Sequence, residues 1–165
     1  MAAHNESYPL HNIENVLPIL NKIAIFGGLT DKHLHTIFHL LEEATFKKGE
    51  YIFKQGGEPE NIWIIWEGKV KIVVDSELGT LELAQLDIGQ CLGDTAVIGI
   101  QQHTASAVAV EDTHLIVLRR TALLSIFDQD KELFGFLMMN IAREACRRLH
   151  HADEVLLHYI LRKPH

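Results

Sequence analysis

Only two cysteines, Cys91 and Cys146, occur in 165 residues, and they fall in quite different segments. They make no metal or redox spacing and read as reduced thiols of a cytosolic protein. Basic residues are also in deficit. Against 22 Asp and Glu stand 15 Lys and Arg, a formal charge of −7 that argues against a nucleic-acid partner. No apolar run approaches the length of a membrane span, so no membrane partner is expected. The opening Met-Ala-Ala-His-Asn-Glu-Ser-Tyr lacks the basic-then-apolar signal of secretion, and the expected location is cytoplasmic. What is present is 47% hydrophobic content, which excludes disorder, in a chain long enough for one domain with a proper core.

Residues 1–12 read as a flexible tail and 13–161 as a single domain in three parts. The first part, 13–43, is helical. Val16, Leu17, Leu20 and Ile23 suggest a short helix with Pro18 near its first turn, and Thr30 is an N-cap before the helical spacing of Leu34, Ile37, Phe38 and Leu41. In the second part, 44–118, the period drops to two. Ala44 to Phe46, Tyr51 to Lys54, Asn61 to Trp66, Lys69 to Asp75, Leu81 to Leu86, Ser106 to Glu111 and His114 to Leu118 read as strands between Gly, Asp, Glu and Pro turns. Many short strands of this kind predict a mainly β fold with flanking helices, a sandwich or jelly roll. Trp63 and Trp66 fall on opposite strand faces by parity, so at least one is expected in the core. The third part, 121–161, is helical to its end.

The most informative run is Gly89 to Val108, which reads as a loop and short helix suited to one phosphate. Gly93 permits a tight turn, and Asp94 puts a carboxylate at the start of a helical turn. Thr95, Ala96 and Val97 then offer backbone N–H groups, which attract anions at a helix N-terminus. Gly93-Asp94-Thr95-Ala96-Val97, followed by His103-Thr104-Ala105-Ser106-Ala107-Val108, resembles the phosphate-binding cassette of the cyclic-nucleotide-binding domain family. That cassette reads Gly-Glu-Leu/Met-Ala-Leu and, about ten residues on, Arg and small residues. Phe26-Gly27-Gly28-Leu29-Thr30, the run Phe46 to Gly56, and Trp63-x-Ile65-x-x-Gly68-x-Val70 are similar to further family motifs, so the resemblance covers roughly residues 14 to 160.

The resemblance implies a jelly roll with N-terminal helices and a long C-terminal helix. It also implies a small regulatory or sensor protein that binds a cyclic nucleotide, cAMP or cGMP, or another small anion through Gly93, Asp94, Thr95, Ala96, Val97, His103, Thr104 and Ala105. In the family the cassette carboxylate accepts a ribose hydroxyl and the arginine holds the phosphate. Asp94 is one methylene shorter than that Glu, and His103 replaces the Arg. Losing a charge-assisted bond of about 1.5–3 kcal/mol weakens binding roughly ten- to a hundredfold. Protonated His103 would serve as the missing cation, so stronger binding is expected at pH 6 than at pH 8. On the base side, His150-His151-Ala152-Asp153 stand where some relatives carry hydroxyls. Arg147, His151, Ala152 and Asp153 are the candidate base and lid contacts, and Arg147 and Arg148 are close enough to supply charge.

Met138, Ala142, Ala145, Leu149, Ala152, Leu156 and Tyr159 alternate steps of four and three, the seam of a coiled coil. Phe134, Leu137 and Ile141 form a second apolar face. One face can cover the barrel while the other meets a second copy, so a homodimer is expected; the alternative is that the whole stripe packs on its own barrel. A helix reaching Leu161 extends about 45 Å, long for a barrel this size. Only Arg-Lys-Pro-His follows Leu161, and no helix-turn-helix is expected there.

Two other readings remain. A ligand-free protein-interaction or dimerisation module could use the same fold, with a downstream partner the sequence does not name. A haem or redox sensor is suggested by eleven histidines and by Cys91 beside the pocket. His35 and His39 are four apart, but no third ligand completes a site and no metal is expected. Catalysis has little support. Ser106 has no placed base, and Asp128 and Asp130 fit the start of the long helix.

Overall fold

The structure, a computed structural model, describes residues 6–162. Its elements in chain order are β1 (Tyr8–Pro9), α1 (Ile13–Leu20), a 3-10 turn (Ala24–Phe26), α2 (Asp31–Phe38), β2 (Leu41–Phe46), β3 (Tyr51–Phe53), β4 (Asn61–Glu67), β5 (Val70–Ser76), β6 (Gly79–Leu86), β7 (Cys91–Leu92), α3 (Asp94–Gly99), β8 (Ser106–Ala109), β9 (Thr113–Arg119), α4 (Arg120–Gln129) and α5 (Lys131–Arg162). The strands form two antiparallel sheets, β1-β2-β9-β4-β7 and β3-β8-β5-β6, which make the expected jelly roll.

The run Asn-Ile-Trp-Ile-Ile-Trp-Glu of β4 lacks clean alternation because both faces of its sheet are covered. Trp63 and Ile65 point between the sheets, together with Leu115 and Val117 of β9, Phe46 and Val70. Ile62, Ile64, Ile116 and Leu118 point the other way, onto Leu20, Leu34, Ile37, Ile126, Leu133 and Leu137 of the helices. Trp63 is buried in the inner layer, and Trp66 packs half-buried against the helical layer with its ring stacked on His114. β6, by contrast, is an edge strand whose Leu81 and Leu83 are exposed.

Three local details depart from expectation. In the segment expected as a tail, Tyr8 and Pro9 pair with Glu43 and Glu42, and a network of Ser7, Glu42 and Arg119 holds them to the sheet. Pro18 lies not in the first turn of α1 but in its sixth position; it has no N–H to offer Glu14, and the helix ends two residues later. α2 ends at Phe38, and Leu41, expected on its apolar stripe, instead opens β2. Asp130, which fits the start of the long helix in sequence, does cap α5, its Oδ1 accepting the Leu133 N–H at 2.9 Å. Thr30 caps α2, its hydroxyl accepting the His33 N–H.

One buried polar side chain fastens α5 to the domain. Asn140 Nδ2 donates to the carbonyls of Ile25, at 3.1 Å, and Gly27, at 2.8 Å, across the 3-10 turn. Removing the amide leaves two carbonyls, one of them buried, without that donor. Asn140→Ala is expected to lower unfolding free energy by about 2 kcal/mol. Urea titration checks this, and a loss below about 0.5 kcal/mol would show that the carbonyls find other donors.

Candidate ligand-binding site

The site begins where β7 pairs with β4, Leu92 opposite Trp63 and Cys91 opposite Ile64. The next residue must turn away from the sheet. Gly93 does so at φ 80°, and a Cβ there would stand 2.8 Å from the Asn61 carbonyl oxygen, so no other residue fits without a shift. Gly93 is the N-cap of α3, and its carbonyl accepts the Val97 N–H at 3.0 Å. The amides of the first turn have no acceptor within the helix. α3 stops at Ile100, a β-branched residue at φ 51° and therefore strained.

The following loop is pinned to the turn between β3 and β4. Gly56 N–H donates to the His103 carbonyl at 2.7 Å, and His103 N–H to the Gly57 carbonyl at 3.0 Å. Ser106, once weighed as a nucleophile, is buried, and its hydroxyl accepts the Gln55 N–H at 2.9 Å. The His103 ring stacks on Phe53 with centroids 3.9 Å apart and planes 13° off parallel. Burial lowers the pKa of this imidazole, while a hydrogen bond with the Glu58 main chain works more weakly the other way. Burial therefore works against the expectation that His103 supplies a cation near pH 6: a ring packed on Phe53 is harder to charge than a solvated one.

These elements enclose a cavity of ≈ 290 Å³. Gly93, Thr95, Ala96, His103, Thr104 and Ala105 form one side, and Phe53, Ile72 and Leu86 form the barrel side. Two residues of the expected set are not on its wall. Val97 is buried in the helical layer, and Asp94 is 0% exposed. The Asp94 carboxylate instead accepts an ion-paired hydrogen bond from Nη2 of Arg148, a residue of α5 that also lines the cavity.

A second hollow of ≈ 830 Å³ runs between β6 and α5, with Arg147, Arg148, His151, Ala152, Val155, Leu156 and Tyr159 on its helical side. Of the candidate base and lid contacts, Arg147, His151 and Ala152 lie here, with Arg147 bonded to Glu144. Asp153 is exposed and lines neither space, which corrects its assignment: it falls on another face of the helix.

Along the expected dimer seam, Met138 is half-buried against its own core, beside buried Leu137 and Ile141. Further on, Leu149 is 63% and Leu156 57% exposed, and Ala142 and Ala152 are also exposed. Ala145 is intermediate.

Among the described residues no cluster of three or more His, Cys, Asp or Glu could hold a metal, and His35 and His39 are exposed on α2. Cys91 is buried, and burial with the nearby Asp94 charge raises its pKa. No described helix is long and apolar enough to cross a membrane.

A jelly roll with a glycine-led helix at a small cavity, and a long helix running past it, is the build of a regulatory domain. The family model of the cyclic nucleotide-binding domain matches residues 43–130, and the chain belongs to this family. It is 30% identical over 131 residues to a cyclic AMP receptor protein of Thermus thermophilus, covering 78% of this chain and 58% of that one. It is 27% identical over 96 residues to the cGMP-dependent protein kinase egl-4 of Caenorhabditis briggsae, covering 57% of this chain and 13% of the kinase. Its fold is similar to a cyclic nucleotide-binding domain from Methylobacillus flagellatus, with TM-score 0.78 and 21% identity over 88% of this chain and 82% of that one. The chain therefore spans less than two thirds of either curated relative.

The environment of His103 has a measurable consequence. Its proton is held less tightly in the folded protein than in the unfolded chain, so the stability it contributes is complete above the ordinary pKa of 6.5 and is lost as pH falls through the lower folded value. An NMR titration of the His103 ring is expected to show a midpoint below 6.5. A midpoint at or above the ordinary value would mean that the ring is solvated or paired with an anion.

Proposed function

We propose that this protein is a non-enzymatic sensor domain that binds a cyclic nucleotide, cAMP or cGMP, in the cassette cavity. It works in the cytoplasm as a homodimer joined through α5. The observation that carries this reading is the cavity itself. Gly93, Thr95, Ala96, Thr104 and Ala105 hold small side chains or hydroxyls around a space of ligand size beside the first turn of α3. Two relatives named for cAMP and cGMP support the ligand class. Apolar exposure at Leu149, Leu156 and Tyr159, on a helix of about 48 Å, supports a second copy along the seam.

A second reading has a specific observation behind it. Asp94 is already bonded to Arg148, and His103 is held neutral, which is what a module acting through protein contacts alone would tolerate. Calorimetric titration with cAMP and cGMP separates the two. The sensor reading predicts saturable heat and a thermal shift, and it predicts that His103→Arg tightens binding roughly ten- to a hundredfold. Silence up to millimolar ligand, in the wild type and in His103→Arg alike, would leave only the module.

A further inference from the structure

The cassette cavity does have a cation, but it comes from the far end of the chain. Among the described residues on the cavity wall, Arg148 is the one side chain with a permanent charge. It projects from α5, 54 residues beyond Asp94 in sequence. The pair between them is single-pronged. Nη2 of Arg148 donates to Oδ2 of Asp94, while Nε of Arg148 and Oδ1 of Asp94 are both buried with no hydrogen-bond partner.

Arginine and carboxylate commonly close as a two-pronged fork, which would satisfy both atoms at once. Here a donor and an acceptor of the same ion pair are left over, both buried, and each orphaned group costs desolvation energy until something meets it. The Arg148 side chain is 35% exposed while Asp94 is 0% exposed, so the carboxylate is sealed and the guanidinium keeps N–H groups free of Asp94. That division suits an anion approaching from the cavity, which can meet the guanidinium donors that Asp94 leaves free.

We propose that Arg148 is the anion-binding residue of this site. In this arrangement the cation has moved from the cassette loop, where His103 stands, to the C-terminal helix. The assignment rests on the sensor reading above. One carboxylate, one cation and one incoming phosphate still give a net single negative charge beside the amides of α3. Only the anchor of the cation has changed.

The move has a consequence that a loop arginine would not bring. Arg148 lines both the cassette cavity and the hollow between β6 and α5, so it sits where the two spaces meet. An anion seated on it ties ligand occupancy directly to the position of α5. The ligand class is a phosphate ester, and its aromatic or apolar remainder extends toward Ala152 and Leu156.

The test is calorimetric titration of the whole chain with cAMP and with ribose 5-phosphate, each at low and high salt. The proteins compared are wild type, Arg148→Gln, Arg148→Lys, and Arg148→Gln with His103→Arg. Glutamine keeps an N–H for Asp94 but removes the charge. Arg148→Gln is expected to weaken cAMP binding roughly ten- to a hundredfold and to flatten its salt dependence. Arg148→Lys is expected to lose less, and adding His103→Arg to recover most of the loss. Ribose 5-phosphate binding as tightly as cAMP would identify a sugar phosphate as the ligand through the same residue; much weaker binding would identify the nucleotide. Wild type binding cAMP while Arg148→Gln binds it within twofold overturns this assignment and leaves the sensor reading standing. Wild type binding neither probe overturns this assignment, and the sensor reading falls with it when cGMP and His103→Arg are silent as well. Should Arg148→Gln fail to fold, the Asp94→Asn, Arg148→Gln pair is compared with Asp94→Asn alone: a further tenfold or greater loss supports Arg148, and binding within twofold overturns it.

Discussion

A carboxylate sealed from water must have a cation, and Asp94 is such a carboxylate. It is 0% exposed at the first position of α3, and the hydrogen bond it receives comes from Arg148 of α5. An isolated charge in that place would cost several kcal/mol, so the helix and the cassette are obliged to meet. The contact fixes where α5 passes the barrel, which side of it faces β6, and what charge the cavity presents. His103, stacked on Phe53 and held below its ordinary pKa, adds no competing cation.

The rest of the fold brings those two residues together. β4 and β9 are covered on both faces, which joins the space between the sheets to the helical layer and leaves the sheet little freedom to shift. From that rigid base β7 delivers Gly93, where only glycine fits, and so sets the direction of α3. On the other side Asp130 starts α5, and Leu133, Leu137 and Ile141 bury its first turns while Asn140 fastens it to the 3-10 turn. Past Ile141 the helix leaves the core. Its next anchor is Arg148, and beyond that Val155, Leu156, Leu157 and Ile160 are all more than half exposed. That exposure is what supports the proposed second copy.

Most of the architecture was legible because it is local. Alternation marked seven of the nine strands among the described residues, six of them within two residues, while β2 begins three residues early at Leu41. The two-residue β1 and β7 left no pattern, and the order of glycine motifs marked the jelly roll. What escaped was decided by distant partners. β1 has two residues and no pattern of its own; it exists because Glu42, Arg119 and Ser7 converge on it. The burial that lowers the His103 pKa comes in part from a stack with a residue fifty positions away. The pairing of Arg148 did leave a signal. Leu133, Leu137 and Ile141 step along the core face of α5, and the same stripe continued by seven residues reaches Arg148. An arginine on a core-facing stripe calls for a buried acid, and Asp94 opens the helix of the cassette. Reading the two segments separately concealed the match. Asp153, by contrast, was assigned by analogy of position, and helical geometry turns it away.

The contact between Asp94 and Arg148 is tested most directly by a double-mutant cycle on stability. Wild type, Asp94→Asn, Arg148→Gln and the double variant are unfolded in urea at neutral pH. If the helix is the source of the cation that the buried carboxylate requires, Arg148→Gln is the most damaging single change. The double variant then recovers part of the loss, with a coupling of at least about 1 kcal/mol. Additive effects within about 0.3 kcal/mol would mean that the two charges do not depend on each other, and the account of how α5 is joined to the cassette would be wrong.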